Sequence, residues 1–246
     1  MFAACAHITD TKVVFSMKRN VKRSFLLFII LLIIVSPILL LNLQKTYAVR
    51  VACVGDSITY GAKIEDKFLN SYPAQLQQLL GGRYLVENFG ASGHTLQKDA
   101  NFSYWNHPNF KKSSDFQPDV IFLMLGTNDT KPYNWTGTEN FLSDLEALVS
   151  HYQNLDSNPE IYLMTPATVF TGYFKLKDHY KMQADVADII SNAILSFGKE
   201  HNLPVIDIHE ATRNHPEYFL LDGVHPDSAG ASAIAREVYQ TFCRQH

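Results

Sequence analysis

The chain has 246 residues, a formal net charge of −3 and 46% hydrophobic residues. That length and balance suit one globular domain with a short extra segment. They argue against a nucleic-acid-binding surface, because the basic residues that cluster do so only in front of an apolar run.

That run, residues 25–41, is almost unbroken apart from Pro37, and Lys18, Arg19, Lys22 and Arg23 stand before it. A basic stretch leading into an apolar one reads as a signal peptide or a retained membrane anchor. Thr46-Tyr47-Ala48 supplies a small-residue cleavage site for the first reading. Either way the basic flank stays inside, so the remainder is expected to be extracytoplasmic, secreted or anchored, and to meet a membrane only through this segment. Met17, directly before Lys18-Arg19, suits the start of such a signal better than Met1. Residues 1–48 therefore read as an extension plus signal or anchor, and residues 49–246 as the folded domain.

A strand is expected over 49–54, ending abruptly at Gly55-Asp56-Ser57. Ser57 thus lies just past a strand's carboxyl end, where open α/β sheets bind ligands. A helix follows over 71–80, with Ser71 as cap, Pro73 in the first turn, and Tyr72, Leu76, Leu79 and Leu80 inward. Gly81-Gly82 stops it. The second strand spans 84–89 and ends at Gly90. Residues 93–117 are irregular and aromatic and read as a long loop with a short helix. The apolar run 119–125 reads as a central strand buried on both faces, closed by Gly126-Thr127-Asn128-Asp129. A helix is expected over 138–152, a fourth strand over 161–164 and a long amphipathic helix over 176–201, with Val186, Ile189, Ile190, Ala193, Ile194 and Phe197 inward. The fifth strand spans 204–208. A loop carries Asp222-Gly-Val-His225-Pro226, and Asp227 or Ser228 caps the last helix.

Strands alternating with helices imply a parallel sheet covered on both faces. With five strands this is an α/β fold, a three-layer α/β/α sandwich of flavodoxin-like topology.

Ser57 can act as a nucleophile only with a base to take its proton. His225 is the candidate base, and Asp222, three residues earlier, is placed to orient and charge-stabilise the imidazole. A base of this kind makes the rate fall on the acid side. Ser92 lacks the Gly-x-Ser-x-Gly surroundings of an α/β-hydrolase elbow. Asp56 reads as structural. Cys53 reads as a small buried hydrophobe, with a disulfide to Cys243 as a minor alternative. No histidine or cysteine spacing suggests a metal, and no cofactor is expected. Asn101-Phe-Ser103 and Asn134-Trp-Thr136 match glycosylation sequons.

GDSITYG (55–61), NFGASG (88–93), GTND (126–129) and DGVHP (222–226) together resemble the ordered blocks of SGNH, or GDSL-type, esterases and acylhydrolases. The resemblance runs from about residue 49 to the end and implies the same sandwich fold. It also implies a serine esterase working through an acyl-enzyme, with an oxyanion hole of the Ser57 and Gly90 backbone N–H groups and the Asn128 side-chain amide. The YWNHPNF stretch (104–110) and GTNDTKPYNW (126–135) look most like carbohydrate acetylesterases of the sialate O-acetylesterase type. The expected substrate is then a small-molecule or glycan acetyl ester. Tyr104, Trp105, Tyr133 and Trp135 are expected to contact it, with Phe170, Tyr173 and Phe174 on the same rim. A lipid-directed lysophospholipase or thioesterase, a glycan O-acyltransferase and a glycan-binding module without catalysis are the alternatives.

Overall fold

In a computed structural model, residues 29–31, 33, 35–36, 48–171 and 180–245 are described. The chain divides into two units, Met1–Ala48 and Val49–His246. The described residues of the first before Ala48 are helical and exposed. Among the described residues no helix is long and apolar enough to cross a membrane. Most of the basic-plus-apolar segment lies outside the described residues, as do Tyr173 and Phe174.

The second unit is built on five parallel strands: β1 (Val49–Gly55), β2 (Tyr84–Gly90), β3 (Val120–Met124), β4 (Glu160–Met164) and β5 (Val205–Ile206). Their order is β2-β1-β3-β4-β5, the flavodoxin-like order. Its switch point lies between β1 and β3, and the crevice above their carboxyl ends is the expected ligand site.

Alternation along the strands divides the core in two. Val51, Cys53, Phe122, Tyr162 and Ile206 face one layer, made by α3 (Tyr72–Leu80) and α8 (Ser228–Gln245). Ala52, Val54, Ile121, Leu123 and Leu163 face the other, made by α5 (Thr138–Gln153) and α6 (Ala184–His201). All of β3 is buried, so each of its large side chains contributes about 1.5–3 kcal/mol of apolar transfer energy. Cys53 and Cys243 are free thiols.

Several boundaries differ from expectation. The fifth strand is only two residues long, because the Asp207 carboxylate accepts the Glu210 N–H and opens a short helix, α7 (Ile208–Thr212). The long helix begins at Ala184, since Lys181, with φ +55°, breaks helical geometry before it; residues 176–179 of the expected helix lie outside the described residues. Leu79 and Ile189, expected inward, are exposed. The 93–117 stretch contains α4 (Pro108–Asp115), and two further short helices, α1 (Ser57–Tyr60) and α2 (Lys67–Asn70), follow β1. Ser71 makes no side-chain cap to α3. Asp227 does cap α8, accepting the Ala229 and Gly230 N–H groups.

Gly90 holds the end of β2 against α1. A Cβ there would lie 2.2 Å from the Tyr60 backbone nitrogen. Its N–H donates to Asn88 Oδ1 at 2.9 Å, while Asn88 Nδ2 donates to Thr59 O at 2.7 Å. Backbone on both sides leaves no room to relax, so Gly90→Ala is expected to cost about 3 kcal/mol of stability, read as a lower urea midpoint.

Candidate active site

β1 ends and α1 begins across Asp56, whose Oδ1 accepts the Ile58 N–H at 2.9 Å. This cap turns the chain sharply and presents Ser57 at the first helical position. The second half of the site arrives from the far end of the chain. In the loop before α8, Asp222 Oδ1 accepts the N–H groups of Val224 and His225, both at 2.9 Å. Gly223 adopts φ +67°, and a Cβ there would lie 2.4 Å from Phe170 O. The loop is therefore closed on itself by its own carboxylate, as a four-residue span permits.

His225 Nδ1 is 2.9 Å from Asp222 Oδ2, and His225 Nε2 is 3.0 Å from Ser57 Oγ. Ser57 and His225 are both buried. Burial opposes the Asp222 charge, but donation from the His225 side chain and backbone, Lys63 and Val224 outweighs it and holds the carboxyl well below its ordinary range. With Asp222 ionised, the imidazole proton belongs on Nδ1, and Nε2 accepts from the Ser57 hydroxyl. An imidazole so placed can take the serine's proton as the oxygen attacks an electrophile.

A cavity of 300 Å³ opens over this chain of hydrogen bonds, lined by Ser57, Lys63, Gly93, Asn128, Lys131 and His225 among others. A larger one of 430 Å³ lies on the other side of Gly90, walled by Tyr60, Phe68 and Val86. It touches none of the three linked residues, so the chemistry belongs to the smaller cavity.

Asn128 lies where the resemblance implied. One hydrogen of its Nδ2 goes to His94 O at 3.1 Å, and its Oδ1 accepts from Lys131 Nζ at 2.8 Å. The lysine thereby fixes which way the amide points and leaves the second Nδ2 hydrogen for the cavity. Gly90 does not lie there. Its N–H is used by Asn88 and it lines the other cavity. Gly93 takes its place: it lines the Ser57 cavity, has φ +82°, and its N–H donates to nothing among the described residues. The register contained the signal. Gly55 pairs with Gly90, and Ser57 lies beyond Gly55, so a partner for it must lie beyond Gly90.

None of the four expected substrate-contacting aromatics lines this cavity. Tyr104 is 0% exposed, and its hydroxyl donates to Phe89 O at 2.9 Å. Trp105 is half-buried against Phe110, and its Nε1–H donates to Leu96 O. Trp135 packs on Phe141. Only Tyr133 is largely exposed. The 93–117 loop is long enough to need a core of its own, and Tyr104 and Trp105 help to provide it. Asn134 is also buried: its Nδ2 donates to Asn128 O and its Oδ1 accepts the Asn101 N–H. That sequon asparagine supports the site and cannot carry a glycan as folded. Among the described residues no three His, Cys, Asp or Glu side chains converge to hold a metal ion.

A fold of this topology with a Ser-His-Asp chain at its switch point defines a hydrolase-like α/β protein of the flavodoxin-like class. Residues 53–233 match the model of the GDSL-like lipase/acylhydrolase family, and the chain belongs to that family. It is 34% identical over 208 residues to an acetylxylan esterase of Xylanibacter ruminicola, covering 78% of this chain and 42% of that protein. The chain thus spans less than half the length of that relative. An isoamyl acetate-hydrolyzing esterase of Schizosaccharomyces pombe is 24% identical, with 82% and 78% covered. Among solved structures, a carbohydrate acetylesterase family member from Sinorhizobium meliloti superposes with TM-score 0.65 at 21% identity, covering 79% of this chain and 97% of that one. The lipase/acylhydrolase from Enterococcus faecalis superposes with TM-score 0.62 at 21% identity, covering 80% and 96%. Both share the fold.

Beneath the cavity two carboxylates are buried together. Burial pushes the Asp129 carboxyl up to about 7, despite the N–H groups of Gln97 and Leu96 that it accepts, and Asp56 adds to the rise. Burial raises Asp56 as well. An acid whose folded value lies above its ordinary 3.8 makes the unfolded state lose its proton first. Stability from Asp129 is therefore present below pH 4 and lost as pH rises to about 7. The urea midpoint should fall across that window, and Asp129→Asn should flatten the fall.

Proposed function

We propose that this protein is a serine esterase that removes short acyl groups, above all acetyl, from O-acylated carbohydrates. The observation that carries this reading is the unbroken hydrogen-bonded line Asp222–His225–Ser57 at the floor of the cavity, 2.9 and 3.0 Å per step. Its place at the strand ends, beside an uncommitted backbone N–H and a fixed amide, supports acyl transfer in particular.

In this mechanism Ser57 Oγ attacks the ester carbonyl while His225 Nε2 takes its proton. The tetrahedral oxyanion is held by the N–H groups of Ser57 and Gly93 and by Asn128 Nδ2. His225 returns the proton to the departing sugar hydroxyl and leaves an acetyl-serine. It then deprotonates a water that releases acetate. Asp222 stays ionised throughout and stabilises the imidazolium.

The similarity to an acetylxylan esterase and an isoamyl acetate-hydrolyzing esterase supports an acetyl ester substrate. Among the described residues the cavity over Ser57 is small and partly polar, with Gly93, Asn128, Lys63 and Lys131 in its wall beside Tyr180 and Met182, which supports a short acyl group over a fatty one. The basic residues before the apolar run 25–41 support action outside the cytoplasm, on glycans met there.

Acetate release from acetylated xylan and from p-nitrophenyl esters of rising chain length tests the reading. Ser57→Ala should lower kcat by about a thousandfold or more while the protein stays folded. A preference for long-chain esters would replace a carbohydrate acetylesterase with a lipid-directed enzyme, and acyl products on added sugar acceptors would make it a transferase. Separately, Asn128→Ala should lower kcat about 10²- to 10³-fold with little change in KM, because the amide is used chiefly in the transition state.

A further inference from the structure

Asp222 Oδ2 accepts from a second cation. Lys63 Nζ, from the loop after α1, lies 2.7 Å from the same oxygen that holds His225 Nδ1, and its side chain is half exposed in the cavity wall. The ammonium also lies 5.2 Å from the centroid of the Tyr180 ring, whose own centroid is 5.4 Å from that of His225. Lys63 has φ +64° in a loop bounded by α1 and α2, so the backbone is held in an uncommon geometry where it delivers this side chain.

We propose that Lys63 is a positioning residue that sets the acid limit of the reaction, by dividing the negative charge of Asp222 between itself and the imidazole. This rests on the esterase reading above. A carboxylate facing His225 alone would favour the imidazolium strongly, and the base would be blocked by protons at mildly acidic pH. The lysine acts against that in two ways. It draws on the acceptor oxygen, and it puts a positive charge close to the ring. Among the described residues, the other charged or titratable groups facing the imidazole do not duplicate it. Tyr180 borders it edge-on. The Asp56 carboxylate attracts the imidazolium, and Lys131, in the wall of the same cavity, gives its ammonium to Asn128 Oδ1 at 2.8 Å rather than to Asp222. Among the described residues Lys63 is therefore the cation in direct contact with the pair, and it extends the working range of the base downward.

The sign follows directly. Without Lys63 the imidazole holds its proton to higher pH, so the acid limb of kcat/KM moves up. The test uses the full chain with p-nitrophenyl acetate between pH 4.5 and 8.5, comparing wild type, Lys63→Met and Lys63→Arg. The His225 ring is titrated in the same proteins by NMR, its resonance assigned with His225→Gln. The expected result for Lys63→Met is an upward move of the limb and of the ring titration by about half to one pH unit. That corresponds to about a three- to tenfold loss below the limb and little loss above it, and Lys63→Arg should keep the wild-type position. A rate lowered equally at every pH with an unmoved ring titration, or a shift downward, would overturn the proposal. The NMR titration needs no substrate, so absence of activity on every ester would sink the esterase reading while still deciding the role of Lys63.

Discussion

The site depends on how closely helix α1 is pressed onto the ends of β1 and β2. Gly55 and Gly90 face one another in register at those ends. A Cβ on Gly55 would lie 2.6 Å from Met124 O and 2.1 Å from Thr59 Oγ1. Two neighbouring strands that end without side chains let α1 lie directly across the sheet. Ser57 is then fixed by the backbone itself, and no side chain can move it without moving the strand behind it. β1 is buried on both faces, which anchors that strand in turn.

The polar half of the site is built on the same plan, with each reactive group held by a neighbour that does no chemistry. Asp222 is clamped by two N–H groups of its own loop, Asn128 by Lys131 and His94, and the Asn128 carbonyl by Asn134. Groups held in this way need little reorganisation when charge develops, which is what makes fixed dipoles effective in a water-poor cavity. The cost lies beneath, where Asp56 and Asp129 are buried side by side. Like-charged burial of this kind lowers stability and is kept where geometry matters more.

The sandwich and the three residues of the hydrogen-bonded line were legible in the sequence because their signals are local. An apolar run ending at glycine marks each strand, and Asp222 and His225 lie within one short loop. Other features depend on tertiary placement. Gly90 and Gly93 lie three residues apart in one motif, and only the pairing of Gly90 with Gly55 separates the packing glycine from the cavity glycine. Aromatic rings in a polar loop look alike whether they face a ligand or fill the loop, and Tyr104 and Trp105 fill it. β5 was overestimated because apolar character continues through Ile208, whereas Asp207 starts a helix there. Lys63 meets Asp222 across 159 residues of sequence, and no spacing rule reaches that far.

The two halves of the line come from opposite ends of the folded unit: Ser57 is 168 residues from His225, whose loop leads into helix α8. A growing chain emerging from the ribosome therefore carries the nucleophile 168 residues ahead of its base. Until α8 docks beside α3, the serine has nothing to take its proton. The hydrogen-bonded line is in this way tied to the closing of the folded unit, and the sheet alone, however well it forms, does not complete it.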